Sequence, residues 1–500
     1  MSANLRLSSS RATLQAVGGA ESSFPSVRLY NDDIAPVQRA NRHWKAYHVF
    51  TLWANDVHSL GNYIFAIGLF ALGLGAWQIL LTIAIGASAL FVLLTLSGLV
   101  GKQTGLPFPV VSRIAFGIRG GRIAAVCRGF VAIVWFGIQT YLAANVLAAI
   151  LVQLAPGLQR FEQGQFLGLS TLNWFAFGLL WVVQLAVVRH GLAMIRYFVA
   201  VAGPVVLITM VGLAVHAFAQ AGYAISWSTD APLTGSRMWG AILGGACLWV
   251  VIYGTFALNV CDFTRCCGTD HAVIVGNFVG VLLNMMLFAA IVVVLSGAQF
   301  HINGQIIKSP ADMVATIADP GWRVAVSVVL VVLTMAVNMV ANFVAPNYML
   351  SDLWPRVLDF KRASLITAIL GVIILPWKLY DSPLAINFFL SGLGAVLGPF
   401  FGLMMVDYWI VRKRRVDIPA LYSEAPDGSY FYRNGINWRA FTALIPSAIV
   451  ALVLSIVPNP AAQFSWMIGA ALAAVLHLVL SEKTQVYSQV DGEAIARPSR

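Results

Sequence analysis

The run Asn55-Asp56-Val57-His58-Ser59-Leu60-Gly61-Asn62 places an acid, an imidazole and several amides inside an otherwise apolar stretch. Val49 to Trp53 precede it and Tyr63 to Gly73 follow it, so the polar run falls near the middle of a segment long enough to cross a bilayer. An aspartate at that depth costs on the order of 3 kcal/mol on insertion scales. A chain tolerates it only where the segment faces a wet cavity or packed protein. Gly61 and the small and polar residues around it also weaken the helix. Helices broken at half-depth are how secondary transporters present backbone groups to ligands and ions. Substrate transport is therefore the first expectation.

Composition supports the membrane class: 59% of the 500 residues are hydrophobic and 10% charged. Apolar runs of about 20 residues recur, giving an all-α polytopic membrane protein with twelve expected transmembrane helices: 50–74, 78–100, 123–152, 172–188, 194–217, 238–259, 272–297, 323–344, 363–376, 384–411, 439–457 and 462–480. With an even count both termini share a side, and about 26 of the 31 Lys and Arg residues fall there. Arg113, Arg119 and Arg122 and the run Arg412 to Arg415 are examples. The termini are therefore expected in the cytoplasm, with the protein in a bacterial-type inner membrane. The net charge of +11 is explained by this bias and by the anionic leaflet, with no nucleic-acid partner. Residues 1–30 lack a signal-peptide core and read as a disordered cytoplasmic tail, and 481–500 as a second one. Cys261, Cys266 and Cys267 cluster after the sixth span, but their spacing matches no zinc pattern, so neither metal nor cofactor is expected.

Trp135 and Gln139 lie four apart on one helical face of the third span. An indole beside a carboxamide suits a flat, hydrogen-bonding heterocycle: stacking a base on an aromatic is worth roughly 1–3 kcal/mol, and the amide both donates and accepts. The alternative is that Trp135 is packing and Gln139 interhelical glue. Asn338 and Asn342 form a second i,i+4 amide pair in the eighth span, with the same two readings. The sixth span carries Tyr253-Gly254-Thr255, where Gly254 and Thr255 are expected to interrupt the helix at a depth matching the break in the first span. Paired interruptions in two halves are a pointer to a transporter binding site. Asp262 and Arg265 read as a structural ion pair or gate at that helix's end, and Arg128 as a residue of the inner interface. His216 and His477 sit near helix ends as packed or snorkelling side chains. No phosphate loop, metal-ligand cluster or nucleophile elbow appears.

In sequence order, Asn31-Asp32-Asp33-Ile34-Ala35-Pro36, Arg42 and Trp44, Leu106-Pro107-Phe108 with Arg113 and Phe116-Gly117, Trp135 to Gln139, Leu258-Asn259 with Asp262-Phe263-Thr264-Arg265, Asn338 with Asn342, and Gly398-Pro399 through Asp407-Tyr408 resemble the nucleobase–cation symporter-1 family. The resemblance runs over about residues 31 to 440. It implies a LeuT-type inverted repeat of five plus five helices, here 31–217 and 238–411, followed by two extra helices within 439–480. It also implies import of nucleobases, allantoin, hydantoins or related vitamins. By position, Trp135 resembles the tryptophan that stacks on the ring, Gln139 and Asn342 the amides that read its edge, and Ser59 the polar contact of the first span. Asn338 is a further candidate. The second stacking tryptophan of the hydantoin carrier falls on Tyr253, with Trp249 one turn earlier as a stand-in. The hydroxyl pair that serves sodium in that carrier falls on Ala336 and Val337; Thr334 would contribute only in another register. Asp56 and His58 can exchange protons.

These residues lead to an expected importer of a small planar heterocycle, sandwiched between Trp135 and Tyr253 and read by Gln139, Asn342 and Ser59. Coupling would be to protons through Asp56 first and His58 second, with Asn55 beside them; sodium is the alternative. A uracil- or cytosine-type pyrimidine comes first as substrate, then allantoin or hydantoin, with purine, thiamine or pyridoxine in a sodium-coupled carrier as the alternative. Partners are the substrate, the coupling cation and the lipid bilayer, with the chain acting as a monomer. A polytopic membrane enzyme using Asp56 and His58 lacks a nucleophile or metal set, and a passive channel fits poorly with a closed aromatic-and-amide site.

Overall fold

The computed structural model describes residues 25–306, 312, 314, 317–382, 389, 392, 394–482 and 486–495. Its regular structure is almost wholly helical, apart from a two-stranded turn pairing Gln165–Phe166 with Leu169–Ser170. In chain order the helices are α1 (Ala46–Val57), α2 (Leu60–Ala71), α3 (Ala76–Thr104), α4 (Phe108–Phe116), α5 (Gly120–Leu154), α6 (Thr171–Val188), α7 (Leu192–Gln220), α8 (Gly235–Asn259), α9 (Asp270–Asn303), α10 (Pro320–Leu353), α11 (Phe360–Ile373), α12 (Gly394–Val411), α13 (Trp438–Ile456) and α14 (Ala462–Leu480). Among the described residues ten are individually long and apolar enough to cross a membrane: α3, α5 to α10 and α12 to α14. The first expected span is instead the half-helix pair α1 and α2, and the ninth is the 14-residue α11. The N-terminal part of the expected tenth span lies largely outside the described residues.

Local chemistry explains the boundaries. His58 leaves the helix, and Ser59, extended at φ −65° and ψ 150°, caps α2 by accepting the Asn62 N–H at 3.4 Å. Gly105 at φ +75° ends α3 in the left-handed region, and Pro107 and Pro109 open α4. α1 is buried almost all round from Thr51 to Val57, which marks it as an interior rather than a lipid-facing helix. π-turns at Phe278–Leu283, Met339–Phe343 and Asp407–Val411 interrupt α9, α10 and α12.

One expectation fails. α8 runs unbroken through Gly254 and Thr255 to Asn259, and the interruption comes only at Val260, before a short turn Cys261–Thr264. Gly254 serves packing instead: a Cβ there would lie 2.6 Å from Nε1 of Trp466 on α14. A glycine at a helix crossing in the membrane permits close approach as readily as a bend, and sequence does not separate the two.

Residues 25–45 and 486–495 meet on one face of the bundle through the Arg39–Asp491 ion pair at 2.8 Å, and Val490 pairs there with Asp417 of the segment between α12 and α13. Of the tails expected at 1–30 and 481–500, residues 25–30, 481–482 and 486–495 are among the described residues. Residues 1–24 lie outside the described residues, but Leu29 is buried and its carbonyl accepts from Arg113. On this face Arg113 pairs with Asp352, also donating to Leu421 O and lying over the Tyr422 ring; both ionic side chains are fully buried. Deleting one partner of such a pair strands a charge, at roughly 3–5 kcal/mol. Asp352→Ala is therefore expected to lower the melting temperature in detergent sharply, whereas removal of the exposed Arg439–Glu482 pair should leave it nearly unchanged.

Candidate functional site

The gap between α1 and α2 leaves carbonyls that helical bonding would have used. Asn62 occupies them: its Nδ2 fans out to Asp56 O at 2.9 Å, Val57 O at 3.1 Å and the Tyr253 hydroxyl at 2.8 Å. A side chain of α2 thus dresses the break and ties it to α8. Although part of the polar run, Asn62 was not among the sequence-derived site residues. A freed carbonyl inside a membrane protein needs a donor nearby, and that requirement is the signal that would have found it.

His58 is fully buried, its Nδ1 2.8 Å from the Tyr63 hydroxyl and its Nε2 3.1 Å from Asn284 Oδ1. Asn284 Nδ2 is directed at Trp53 O, so its carbonyl oxygen faces the imidazole. That arrangement puts a proton on Nε2 and engages both ring nitrogens. Asn55 Nδ2 bonds Thr51 O at 2.7 Å and Val199 O at 2.9 Å, joining α1 to α7, while its Oδ1 is buried without a partner among the described residues. The Asp56 carboxylate has no hydrogen-bond or ion-pair partner among the described residues, although it lies within electrostatic reach of Arg128 and Tyr253.

Arg128 is where sequence and structure differ most. It is not at an interface but 1% exposed, two helical turns from Trp135 on α5. Its Nε donates to Thr255 O at 2.7 Å and Asn259 Oδ1 at 3.0 Å, and its Nη2 to Ala341 O at 2.8 Å. Ala341 lies in the π-turn of α10; such turns disturb the helical bonding pattern and cluster at functional sites. One guanidinium therefore ties α5, α8 and α10 together at the level of the helix break. Its Nη1 is buried and has no partner among the described residues.

The remaining candidates divide by their hydrogen-bonding state. Asn338 is spent on structure: Nδ2 reaches Phe136 O at 3.1 Å, Thr140 Oγ1 at 3.0 Å and Gln184 Oε1 at 2.8 Å, and Oδ1 accepts from Asn342 at 3.0 Å. It orients Asn342, whose own Oδ1 is uncommitted. Gln139 is nearly buried with no hydrogen-bond partner among the described residues. Trp135 is half-buried, and the ring beside it is Phe389, at 5.8 Å between centroids. Phe389 was missed because nothing in the sequence distinguishes it from other apolar residues of its span. Tyr253 instead packs against Trp53 and Trp249, at 6.3 Å and 5.5 Å, with its hydroxyl at the break. Trp249 is fully buried against Phe65 and Phe288.

On the face that carries residues 25–45 and 486–495, Asp262 and Arg265 do not pair with each other. Asp262 accepts from Phe108 N at 2.7 Å and Asn259 Nδ2 at 3.0 Å, while Arg265 reaches the Tyr348 hydroxyl at 2.7 Å and the carbonyls of Asp33 and Ala35. The cluster therefore ties the end of α8 to α4, α10 and the N-terminal segment. Asp33 accepts from Phe360 N, and burial pushes its carboxyl above its ordinary pKa against that bond. Cys261, Cys266 and Cys267 are free thiols.

A buried broken helix, a half-buried indole on the same helix as a buried amide, and a cross-tying guanidinium fit a polytopic membrane carrier. The profile of the family described as "Permease for cytosine/purines, uracil, thiamine, allantoin" matches residues 36–476. An allantoin permease of Bacillus subtilis (strain 168) is 35% identical, over 92% of this chain and 94% of its own length. A purine-uracil permease of Arabidopsis thaliana is 30% identical, over 88% of this chain and 72% of its own. The structure of a nucleobase-cation-symport-1 family transporter, closed with bromovinylhydantoin bound, superposes with a TM-score of 0.75 at 23% identity, covering 90% of this chain and 95% of that one; this likeness shows the LeuT-type fold. The chain belongs to the nucleobase–cation symporter-1 family, and is a permease rather than an enzyme.

Asn62 carries a direct stability prediction. Asn62→Ala removes the donor from two buried carbonyls, each costing roughly 1–3 kcal/mol when unsatisfied. The variant should melt several degrees lower in detergent and transport poorly; an unchanged melting curve would show that the break does not need this amide.

Proposed function

We propose that this chain is a proton-coupled importer of a cyclic ureide, with allantoin ahead of hydantoin and uracil. The observation that carries the reading is the pairing of a half-buried Trp135 with two amides that keep hydrogen-bonding capacity to spare among the described residues: all of Gln139's, and the Oδ1 of Asn342, whose Nδ2 is given to Asn338. The ring would stack on Trp135, be closed over by Phe389, and be read at its edge by the two amides and Ser59. A wrong ring would leave those amides unpaired, which is how such sites discriminate. The allantoin permease among the relatives moves that substrate ahead of a pyrimidine. Tyr253 then contributes its hydroxyl rather than a stacking face.

Coupling is assigned to Asp56, whose carboxylate is uncommitted, before His58, whose nitrogens are both engaged. Ala336 and Val337 offer no hydroxyl, and Thr334 Oγ1 is turned back onto Leu330 O at 2.8 Å, which weighs against sodium. One observation favours the sodium reading: Asn55 Oδ1 is a buried oxygen without a donor. On this reading 31–217 and 238–411 form the two repeats, the termini are cytoplasmic in an inner membrane, and the monomer is the working unit.

The test is uptake of labelled allantoin into cells or proteoliposomes. Trp135→Ala and Gln139→Ala should each abolish saturable uptake while membrane insertion survives; normal kinetics in both would remove the site. Uptake should collapse with the proton gradient and ignore sodium. Asp56→Asn should retain allantoin binding, weakened, but lose accumulation against a gradient, and uptake driven by sodium alone would reverse the ion assignment.

A further inference from the structure

The two ends of a carboxamide are told apart only by their partners. Along one line of side chains those partners leave no choice. Leu180 O and Phe136 O are backbone carbonyls and can only accept. Gln184, fully buried on α6, therefore turns its Nε2 to Leu180 O and to Thr140 Oγ1, both at 3.2 Å, which leaves its Oε1 for Asn338. Asn338 shares the hydrogens of Nδ2 among that oxygen at 2.8 Å, Thr140 Oγ1 at 3.0 Å and Phe136 O at 3.1 Å. Thr140 gives its own hydrogen to Phe136 O at 2.8 Å, so it accepts from both amides. What remains of Asn338 is Oδ1, which takes the Asn342 Nδ2 at 3.0 Å. Asn342 Oδ1 is then the one end of the line without a partner among the described residues. These bonds join the π-turn of α10 to Phe136 and Thr140, the sequence neighbours of Trp135 and Gln139 on α5.

We infer that Gln184, Thr140 and Asn338 form a polarity relay that holds Asn342 as an acceptor, so that the site selects rings presenting an N–H there. Imide and lactam edges qualify; an amidine edge, whose ring nitrogen is itself an acceptor, does not. The three are positioning residues, acting on the ligand only through Asn342. Reversing Asn342 would set its Oδ1 against Asn338 Oδ1, two acceptors with no hydrogen between them in a dry interior. Reversing Asn338 as well would oppose its Oδ1 to Phe136 O and Gln184 Oε1. Reversing Gln184 in turn would oppose its Oε1 to Leu180 O. No rearrangement along the line removes the conflict, so the polarity cannot adapt to the ligand. This deepens the proposed ring site and rests on it. Allantoin, hydantoin and uracil all carry an imide N–H, whereas cytosine, matching uracil in ring size, carries a bare ring nitrogen beside an amino group.

The test is displacement of labelled allantoin from the purified full chain by uracil and by cytosine. From wild type, uracil should displace it at a concentration about tenfold or more below that needed for cytosine, as one unpaired buried group would dictate. Asn338→Leu removes the acceptor that holds Asn342 and should bring the ratio to about threefold or less. Asn338→Asp should preserve it, because a neutral acid there can donate to Phe136 O and still accept from Asn342. Gln184→Met removes the shortest of the three acceptors of Asn338 and should roughly halve the ratio or more. A network that only stabilises the fold would weaken both rings alike. An unchanged ratio in Asn338→Leu and Gln184→Met would therefore overturn the relay, as would equal displacement, or none, by the two rings in wild type. The wild-type ratio and Gln184→Met decide the matter if Asn338→Leu does not fold. If wild type binds allantoin and Trp135→Ala does not, the ring site stands whatever the ratio. If wild type does not bind allantoin, both readings fall.

Discussion

Everything at the centre of this bundle depends on how a two-residue gap in a buried helix is kept hydrated without water. Breaking α1 from α2 frees carbonyls at a depth where each would be costly to leave bare. The solution is local: Ser59 caps the second half, and the Asn62 amide turns back to cover Asp56 O and Val57 O. Because that same amide also holds the Tyr253 hydroxyl, the break is anchored to α8 and not free to fold back into a helix. The carboxylate of Asp56 is consequently held out from the backbone. A polar run that looks like an error in a membrane span is thus a self-consistent unit, in which residues 56, 59 and 62 each answer a demand created by another.

The second fixed point is Arg128. A guanidinium at half-depth is tolerated because two of its three nitrogens are spent on oxygens, two of them backbone carbonyls. Those carbonyls are accessible because α10 adopts a π-turn at Met339–Phe343 and α8 nears its end at Asn259. Irregular backbone and buried charge therefore explain each other: neither would persist alone in a low-dielectric interior. Asn338 repeats the logic in neutral form, bridging α5, α6 and α10 and leaving Asn342 as the amide with capacity to spare.

The class of fold was legible in the sequence because apolar run length is a direct physical demand of the bilayer, and the break in the first span because charged and amide residues at half-depth admit few explanations. The i,i+4 spacing made legible that Trp135 and Gln139 share one helix face and that Asn338 and Asn342 share another. What sequence could not separate was one cause of a pattern from another. Gly254 has the composition of a hinge and the function of a packing site against Trp466. Asn338 and Asn342 look alike as residues, yet one is saturated and the other is not. Arg128 sits two turns into an apolar helix, where snorkelling to an interface is the usual outcome for a long cation; only three acceptors converging from α8 and α10, more than a hundred residues away in sequence, make burial possible.

The surroundings of Trp135 and the face of residues 25–45 are held by different physics. Near Trp135 the closure is aromatic, with Phe389 beside the indole. On the face of the termini it is polar: Asp262 on the Phe108 amide, Arg265 on Tyr348 and the 33–35 carbonyls, beside a cavity of about 240 Å³ lined by Tyr30, Asp33, Asn41 and Arg265. A hydrogen bond surrendered to water changes the free energy by only about 1 kcal/mol, whereas one left unmade in a dry interior costs the full desolvation of its partners. The ties of Arg265 to the carbonyls of Asp33 and Ala35 line that cavity and can be exchanged for water one by one. Those of Arg128 and Asn62 cannot. The contacts that water can replace therefore lie on the face of residues 33–35, and those it cannot replace lie at the helix break.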